Sequence, residues 1–353
     1  MTYRKLTIED IARKAGVSRA TASRVLNNAP GVSADLRTRV DRVVADLGYR
    51  PNAAARALAS GRRDALDLVV IACHGDISLF GAQPYYSRVI AGVLAALAGT
   101  DTQLRVNVAE SADAPDMLDR VAQSVTAGAV LVNVSPALAA RFHARCRRAV
   151  SLGATAPHVP AVEPENSRAA YDAISLLHRI GCRRIAAIHG PDCNTCAAGR
   201  RAGHLEAVRE LGLADIAVDG GFRREGGYAA ATRLLAAHPD LDGIFAACDM
   251  MAAGAVQAIT DAGRRVPDDI AVVGFDDSAV AACVSPPLTT MRLPIEEMAA
   301  AATRALLEGA AAPHWRRFFP VDMVVRNSTG PGAALLLPPV RSPHPVSALA
   351  GRP

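Results

Sequence analysis

Residues 7–27, TIEDIARKAGVSRATASRVLN, and 34–58, ADLRTRVDRVVADLGYRPNAAARAL, decide how this chain is read. Thr7 stands where a helix N-cap stands, with Asp10 three residues on, close to a capping box. Ile8, Ile11, Ala12 and Ala15 follow at i, i+3, i+4 and i+7, so one face of this helix is apolar. Gly16 suits the tight turn that ends it. Ser18 is a second N-cap, and residues 19–27 make the next helix, with Ala22, Val25 and Leu26 turned inward. Arg19, Ala20, Ser23 and Arg24 then face outward near its N-terminal end. A third helix after Ser33 carries Leu36, Val40, Val43, Val44 and Leu47 on one face and stops at Gly48. The order is a helix-turn-helix with a supporting third helix.

A generic three-helix domain with solvated arginines would show the same periodicity, and charge separates the two readings. Residues 1–63 hold 13 Lys and Arg against 5 Asp and Glu, whereas the rest of the chain holds 26 against 29. Positive charge concentrated in the first sixth of the chain is the footprint of a phosphate-binding domain. The N-terminal part of the second helix would then meet base edges in the major groove. Arginine can take guanine bidentately, while Ala20 offers only a methyl contact, for example to thymine. The expected major-groove set is Arg19, Ala20, Ser23 and Arg24. Thr7, Ser18, Thr21, Asn27 and Tyr49 are the expected phosphate-backbone contacts. Pro51 and Asn52 interrupt the third helix and can start another, with Asn52 as its cap. Residues 53–59 have strong helix propensity but are too few to stand alone. This segment is expected to fold only on duplex DNA and against a second copy of itself. The linker proper is 60–64.

Residues 6–60 resemble the headpiece of the LacI/GalR family of bacterial transcription regulators. The resemblance is carried by AGVSRATASRVLN (15–27), LGYRPN (47–52) and ARAL (55–58). It implies paired hinge helices over about 52–59 that insert a leucine into the minor groove, and the matching position is Leu58. Asn52, Ala55 and Arg56 lie on the same segment. Such apolar wedges unstack a base step and bend the duplex. The alternative for Leu58 is a linker residue packed on the next domain. A single headpiece reads one half-site, so a homodimer on a palindromic double-stranded operator is expected.

Beyond residue 65 the chain changes character. Apolar runs at 66–73, 104–109, 129–134, 149–153, 184–190, 216–220, 243–248 and 270–275 alternate with helical stretches. The helices are read at 86–98, 168–180, 203–211, 226–237 and 250–262. Alternation of this kind means βαβ units, right-handed crossovers and doubly wound parallel sheets with ligand sites at the strands' carboxyl ends. The length exceeds a single core, so two subdomains are expected. The resemblance extends to about residue 329 and implies a periplasmic-binding-protein-like fold crossed three times, near 157–164, 289–294 and 319–322. The expected fold class is therefore α/β. A helix-turn-helix headpiece with hinge helix (1–60) precedes a two-subdomain effector and dimerisation domain (61–329). The first subdomain takes about 66–157 and 294–320, the second about 160–290 and 321–329. Residues 330–353 are rich in Pro, Gly and Ala and lack heptads, so a disordered tail is expected and a tetramerising zipper is not.

A secreted binding protein of the same fold would need a signal sequence. Residues 1–11 hold no apolar core for one, and no apolar run is long enough to span a membrane. Seven cysteines, an odd number, fit a reducing compartment. A cytoplasmic protein without membrane partners is expected.

The effector cleft is read from its loops. Val273-Gly274-Phe275-Asp276-Asp277 lies where a buried strand stops, and a carboxylate there can accept hydrogen bonds from hydroxyls. The resemblance makes Asp276 the ligand-contacting member; alternatively both aspartates cap the following helix. Arg200, in GRRAGHLEA, matches the family's ligand arginine, whose fork can bridge two hydroxyls or bind a carboxylate. Its alternative is a surface arginine pairing along a helix. Phe222 matches a stacking aromatic or belongs to the core. Cys248-Asp249 stands where relatives carry Asn-Asp or Ser-Asp, and Tyr86 is a further candidate contact beside Phe80 and Tyr85. The first subdomain departs from the family. Gly153-Ala154-Thr155 replaces an Asp-Arg pair, and Glu165-Asn166 replaces Asp-Asn. A modified sugar, a nucleoside, an organic acid or no small molecule all stay open. Cys193-Asn194-Thr195-Cys196, with His189 upstream, supplies three candidate metal ligands where a closed zinc site needs four. It reads as two ordinary loop thiols, and no metal or cofactor is expected. No catalytic constellation stands out, so an enzyme is not expected.

Overall fold

The computed structural model describes residues 7–26, 31–47, 64–72 and 78–336. The readings placed on Asn27, Tyr49, Asn52, Ala55, Arg56 and Leu58 lie outside these residues. The chain parts into two compact units after Asp64.

The first unit holds α1 (Ile8–Ala15), α2 (Arg19–Leu26) and α3 (Ala34–Leu47). A full capping box starts α1: Thr7 Oγ1 accepts from Asp10 N at 3.4 Å, and Thr7 N donates to Asp10 Oδ2 at 3.0 Å. Gly16 ends the helix in the left-handed region (φ 65°), which a residue without Cβ adopts freely. Arg39 of α3 locks this turn by donating to the carbonyls of Ala15 and Gly16 at 2.7 and 3.2 Å. Ser18 Oγ accepts from Thr21 N at 3.0 Å and starts α2. Ile11, Ala15, Val25 and Val40 form the small core.

The second unit opens with β1 (Ala65–Ala72), α4 (Ser78–Ala82), α5 (Pro84–Leu97), β2 (Gln103–Glu110) and α6 (Ala114–Ser124). There follow β3 (Gly128–Val132), α7 (Pro136–Arg145), β4 (Ala149–Leu152), β5 (Ala161–Pro164) and α8 (Asn166–Arg179). Then come β6 (Ile185–His189), α9 (Thr195–Leu211), β7 (Ile216–Asp219), α10 (Arg224–Ala237), β8 (Gly243–Ala246) and α11 (Asp249–Asp261). The unit closes with β9 (Ala271–Asp276), α12 (Ala279–Cys283), β10 (Thr289–Arg292), α13 (Ile295–Leu307), β11 (Arg316–Phe319) and β12 (Asp322–Val324).

Two six-stranded sheets result, ordered β11-β5-β4-β3-β1-β2 and β12-β10-β9-β8-β6-β7. Pairing is parallel throughout, save β12 against β10. Central strands such as β1 and β3 are buried along their whole length, as expected of parallel sheet covered on both faces.

Three expectations need correction. The chain leaves the first sheet later than the reading at 157–164 placed it, because residues 161–164 still pair as β5 with β4 and β11. The crossing falls at Glu165. The helix carrying Arg200 begins at Thr195, eight residues before the expected start. Asn194 caps it, and its glycines are tolerated because α8 packs close: a Cβ on Gly203 would lie 1.9 Å from Ser167 O. Finally, the tail does not lose structure at Gly330. Residues Pro331–Leu336 form a 3-10 turn that buries Ala333.

The chain crosses a second time between β10 and α13 and a third time at Pro320-Val321, between β11 and β12. The first and third connections touch, since Glu165 N donates to Phe319 O at 3.0 Å.

Candidate functional site

In the first unit, Arg19 and Ala20 are exposed at the start of α2 and Arg24 is exposed in its last turn, with Ser23 half-buried beside it. Arg19 Nε pairs with Glu9 Oε1 at 2.8 Å, both groups largely exposed, so the contact is weak and can be exchanged for another anion. Thr7 and Ser18 stay exposed while capping, and Thr21 shares a 2.9 Å hydrogen bond with Ser18. The helix therefore presents a basic surface with small side chains between the arginines.

In the second unit a cleft of about 610 Å³, measured out to open solvent, lies between the sheets. Asn133, Cys248 and Asp276 approach it from the carboxyl ends of β3, β8 and β9; Tyr86, Asn194 and Cys196 come from the starts of α5 and α9. This is where doubly wound sheets place ligands. The five residues read as effector contacts, Tyr86, Arg200, Phe222, Cys248 and Asp276, all line it.

Arg200 is not a surface arginine. It is 3% exposed and organises the floor. Its Nε donates to Asn166 Oδ1 at 2.9 Å, Nη1 donates to Ala247 O, and Nη2 lies 3.3 Å from Asp276 Oδ1. The guanidinium also stacks over Phe275 at 3.7 Å. Asp276 Oδ1 is buried beside Arg200 and has no hydrogen bond of good geometry among the described residues, while the carboxylate as a whole keeps 17% of its surface at the cleft. Burial pushes the Asp276 carboxyl up, against the opposing pull of Arg200 and Arg88. Asp276 and Asp277 both have positive φ (111° and 49°). They do not cap the next helix; its N-cap is Ser278.

Two further aspartates hold Asp276 in place. Asp249 is fully buried and accepts from Thr290 Oγ1 at 2.6 Å, Ser278 N at 2.7 Å and Ser278 Oγ at 3.0 Å. Burial and the nearby Asp276 push its carboxyl up. Asp277 is also penalised by burial, yet hydrogen bonds from Arg326 (2.6 Å) and Arg292 (2.7 Å) hold it below its ordinary value.

Phe222 belongs both to the cleft wall and to the core. Its ring lines the cleft, packs on the core and fills the space a Cβ on Gly190 would need. Cys248 caps α11, its sulfur accepting from Met251 N at 3.5 Å, and burial raises its thiol. Cys196 is not a loop thiol but sits in the first turn of α9, facing the cleft. The six cysteines among the described residues are free, and those residues hold no cluster of three or more metal-ligating side chains.

Sequence reasoning missed the groups that link the two walls. Asn194 Nδ2 donates to Asn133 Oδ1 at 3.0 Å, and Asn133 Nδ2 donates to Tyr86 Oη at 2.9 Å. Gln83 Nε2 donates to Phe222 O at 2.9 Å. Arg88 forks onto Glu296 (2.7 and 2.8 Å) and donates to Asp276 O at 2.8 Å and Leu293 O at 3.0 Å. It thus ties α5, α13, the end of β9 and the second crossing together.

These two units have counterparts among known proteins. The family model of bacterial regulatory proteins of the lacI family matches residues 7–52, and that of a periplasmic binding protein-like domain matches residues 174–329. The HTH-type transcriptional regulator CelR of Thermobifida fusca is 33% identical over 338 residues, covering 92% of this chain and 98% of its own. The chain belongs to the LacI family. A ribose operon repressor of Halalkalibacterium halodurans is 31% identical and covers the same shares, 92% and 98%. Among solved structures, a CelR–cellobiose complex superposes with TM-score 0.69 at 30% identity, covering 92% of this chain and 99% of that one. The Lac repressor dimer bound to operator and the anti-inducer ONPF gives 0.69 at 26% identity, with 93% and 100% covered. As a LacI-family member the protein is a DNA-binding transcriptional regulator, with a helix-turn-helix unit followed by a periplasmic-binding-protein-like one. Among the described residues no helix is long and apolar enough to cross a membrane.

Proposed function

We propose that the protein is a cytoplasmic repressor that binds a palindromic operator as a homodimer and answers to a small metabolite held in the cleft. Arg19, Ala20, Ser23 and Arg24 read base edges, and Thr7, Ser18 and Thr21, with Asn27 and Tyr49, hold phosphates. The hinge, with Asn52, Ala55, Arg56 and Leu58, enters the minor groove and bends the duplex. Arg200, Asp276, Phe222, Cys248 and Tyr86 contact the effector.

The observation that carries this reading is the set of hydrogen bonds spanning the cleft, from Gln83 to Phe222, from Asn194 to Asn133 and from Arg88 to Asp276. A molecule seated between walls joined in this way has different affinities for closed and open arrangements. Such differential binding is what shifts an equilibrium, typically by about 1–3 kcal/mol. The relatives support this reading: one is solved with cellobiose and another as a dimer on operator with an anti-inducer. The cleft's charged groups pair with one another rather than standing as an acid and base around a reacting atom, which favours binding over catalysis.

Selection of duplexes from a random pool, followed by gel retardation, tests the DNA half. A two-fold symmetric site is expected. Arg24→Ala should lose about 1–3 kcal/mol of discrimination at one base pair. No preference over random competitor at moderate salt would remove the proposal. Thermal-shift screening of metabolites, then retardation gels with each hit, tests the second half.

A further inference from the structure

We infer that the cleft takes an amphipathic effector: a flat aromatic ring joined to a short hydroxylated head, rather than a free, fully hydroxylated sugar. This rests on the cleft being the effector site, and narrows what that effector is.

Most polar groups around the cavity are already committed. Asn133 gives its amide to Tyr86 and its oxygen to Asn194. Asn194 Oδ1 is spent on the Cys196 and Ala197 amides at 2.9 and 3.1 Å. Arg88 is shared among Glu296 and the Asp276 and Leu293 carbonyls. Ser278 donates its hydroxyl to Asp249. What remains for a ligand is small. Asp276 offers the part of its carboxylate that stays exposed, its Oδ1 being buried 3.3 Å from Arg200. Tyr85 lines the cavity, and its hydroxyl makes no hydrogen bond among the described residues. Both line the same cleft. A free hexose carries a hydroxyl on nearly every ring carbon, and each must find a partner when it leaves water. The committed groups could serve it only by breaking the bonds that hold the walls together.

The rest of the lining is apolar. Pro84, Tyr86 and Ile295 face Phe222, Met250 and Cys248 from the other wall. Tyr85 and Tyr86 stand edge to face at 5.4 Å, and Phe80 adds a third ring 5.1 Å from Tyr86. Half-buried Cys196 and buried Cys248, both with thiols raised by desolvation, behave as small neutral apolar groups. The end of β4 adds no polar side chain: a Cβ on Gly153 would lie 3.4 Å from Cys196 Sγ. Aromatic groups on both walls and one open carboxylate match a ring with one hydroxylated end.

The test is calorimetric titration of full-length protein with matched probes. These are methyl and phenyl β-D-glucopyranoside, methyl and phenyl β-D-galactopyranoside, and methyl β-D-ribofuranoside and adenosine. In at least one pair the aryl member should bind about tenfold or more tightly than its methyl partner. Phe222→Ala should bring that ratio to near unity. Tyr85→Phe should weaken both members equally and leave the ratio unchanged. Equal affinities, a tighter methyl member, or no binding by any aryl probe would overturn the inference. The same preparation is tested for duplex preference. If it selects no operator, the regulator reading fails; if it selects one while the aryl preference is missing, only the ligand class fails.

Discussion

Replacing Arg200 with leucine removes a cation that joins three partners in the cleft floor. Asn166 Oδ1 and Ala247 O are left buried without their donor, and Asp276 loses its ion-pair partner. Each buried acceptor left unpaired costs about 1–3 kcal/mol, and breaking a buried ion pair by deleting one member costs about 3–5 kcal/mol. These contributions overlap, and leucine keeps some packing on Phe275, so a net loss of roughly 3–5 kcal/mol is expected. Urea unfolding at pH 7.5 measures it. Asp276→Asn alone should cost less, because it also relieves the repulsion that Asp276 exerts on Asp249. The double variant should then lose less than the sum of the singles, by about 1 kcal/mol or more. The pH dependence has a definite sign. Burial raises the folded-state pKa of Asp276, so its contribution is most favourable at low pH and is lost as pH rises through that value. Without Arg200 the carboxyl is driven higher still, and protonation relieves it. The Arg200→Leu deficit should therefore shrink between pH 7.5 and pH 5. A loss under about 1 kcal/mol, or a deficit that grows on acidification, would refute the buried-pair argument.

His189 and His204 give a second, opposite pH effect. Their rings lie 5.0 Å apart, both are buried, and burial lowers both pKa values, that of His189 to about 3. The unfolded chain takes up protons below about pH 6.5 while folded His189 does not, so stability is full above that pH and falls on acidification, by about 1.4 kcal/mol for His189 at pH 5.5, with His204 acting in the same direction. His189→Leu should recover about that much of the wild-type loss between pH 7.5 and 5.5; an unchanged loss would count against a neutral buried His189. Gly203→Ala places a methyl against Ser167 O and should cost about 1–3 kcal/mol by pushing α8 from α9, read by thermal unfolding. A change below about 0.5 kcal/mol would mean the helices are spaced more widely.

The headpiece was legible because each of its signals is local: caps at Thr7 and Ser18, a turn glycine at Gly16, and apolar residues at helical spacing. The central strands were legible because parallel strands buried on both faces leave unbroken runs of Val, Ile, Leu and Ala. The two strands at the β11 end of the first sheet were not. The sequence of β11, Arg316-Arg317-Phe318-Phe319, and the Glu163 within β5 carry no such run, so the first crossing was placed too early. Gly199 and Gly203 concealed the start of α9, since close packing on α8 and not propensity keeps them helical. In the cleft, Arg200 and Asp276 were found through motif position. Gln83, Arg88, Asn133 and Asn194 were not, because each is a single polar residue whose partner is distant in sequence. Nothing short of the fold brings Gln83 to Phe222 or Arg88 to Asp276.

The threading of the chain between its sheets sets the order in which they can be finished during synthesis. Residues of β1 to β5 leave the ribosome first, yet their sheet still lacks β11, and α13, which packs on β3, β4 and β5, is encoded after the whole of β10. The second sheet wants only the short β12 once Arg292 has emerged. The half that is translated first is thus completed last. Its exposed flank must wait for a partner delivered from the far end of the message, contrary to the usual progress of nascent domains from the N-terminus.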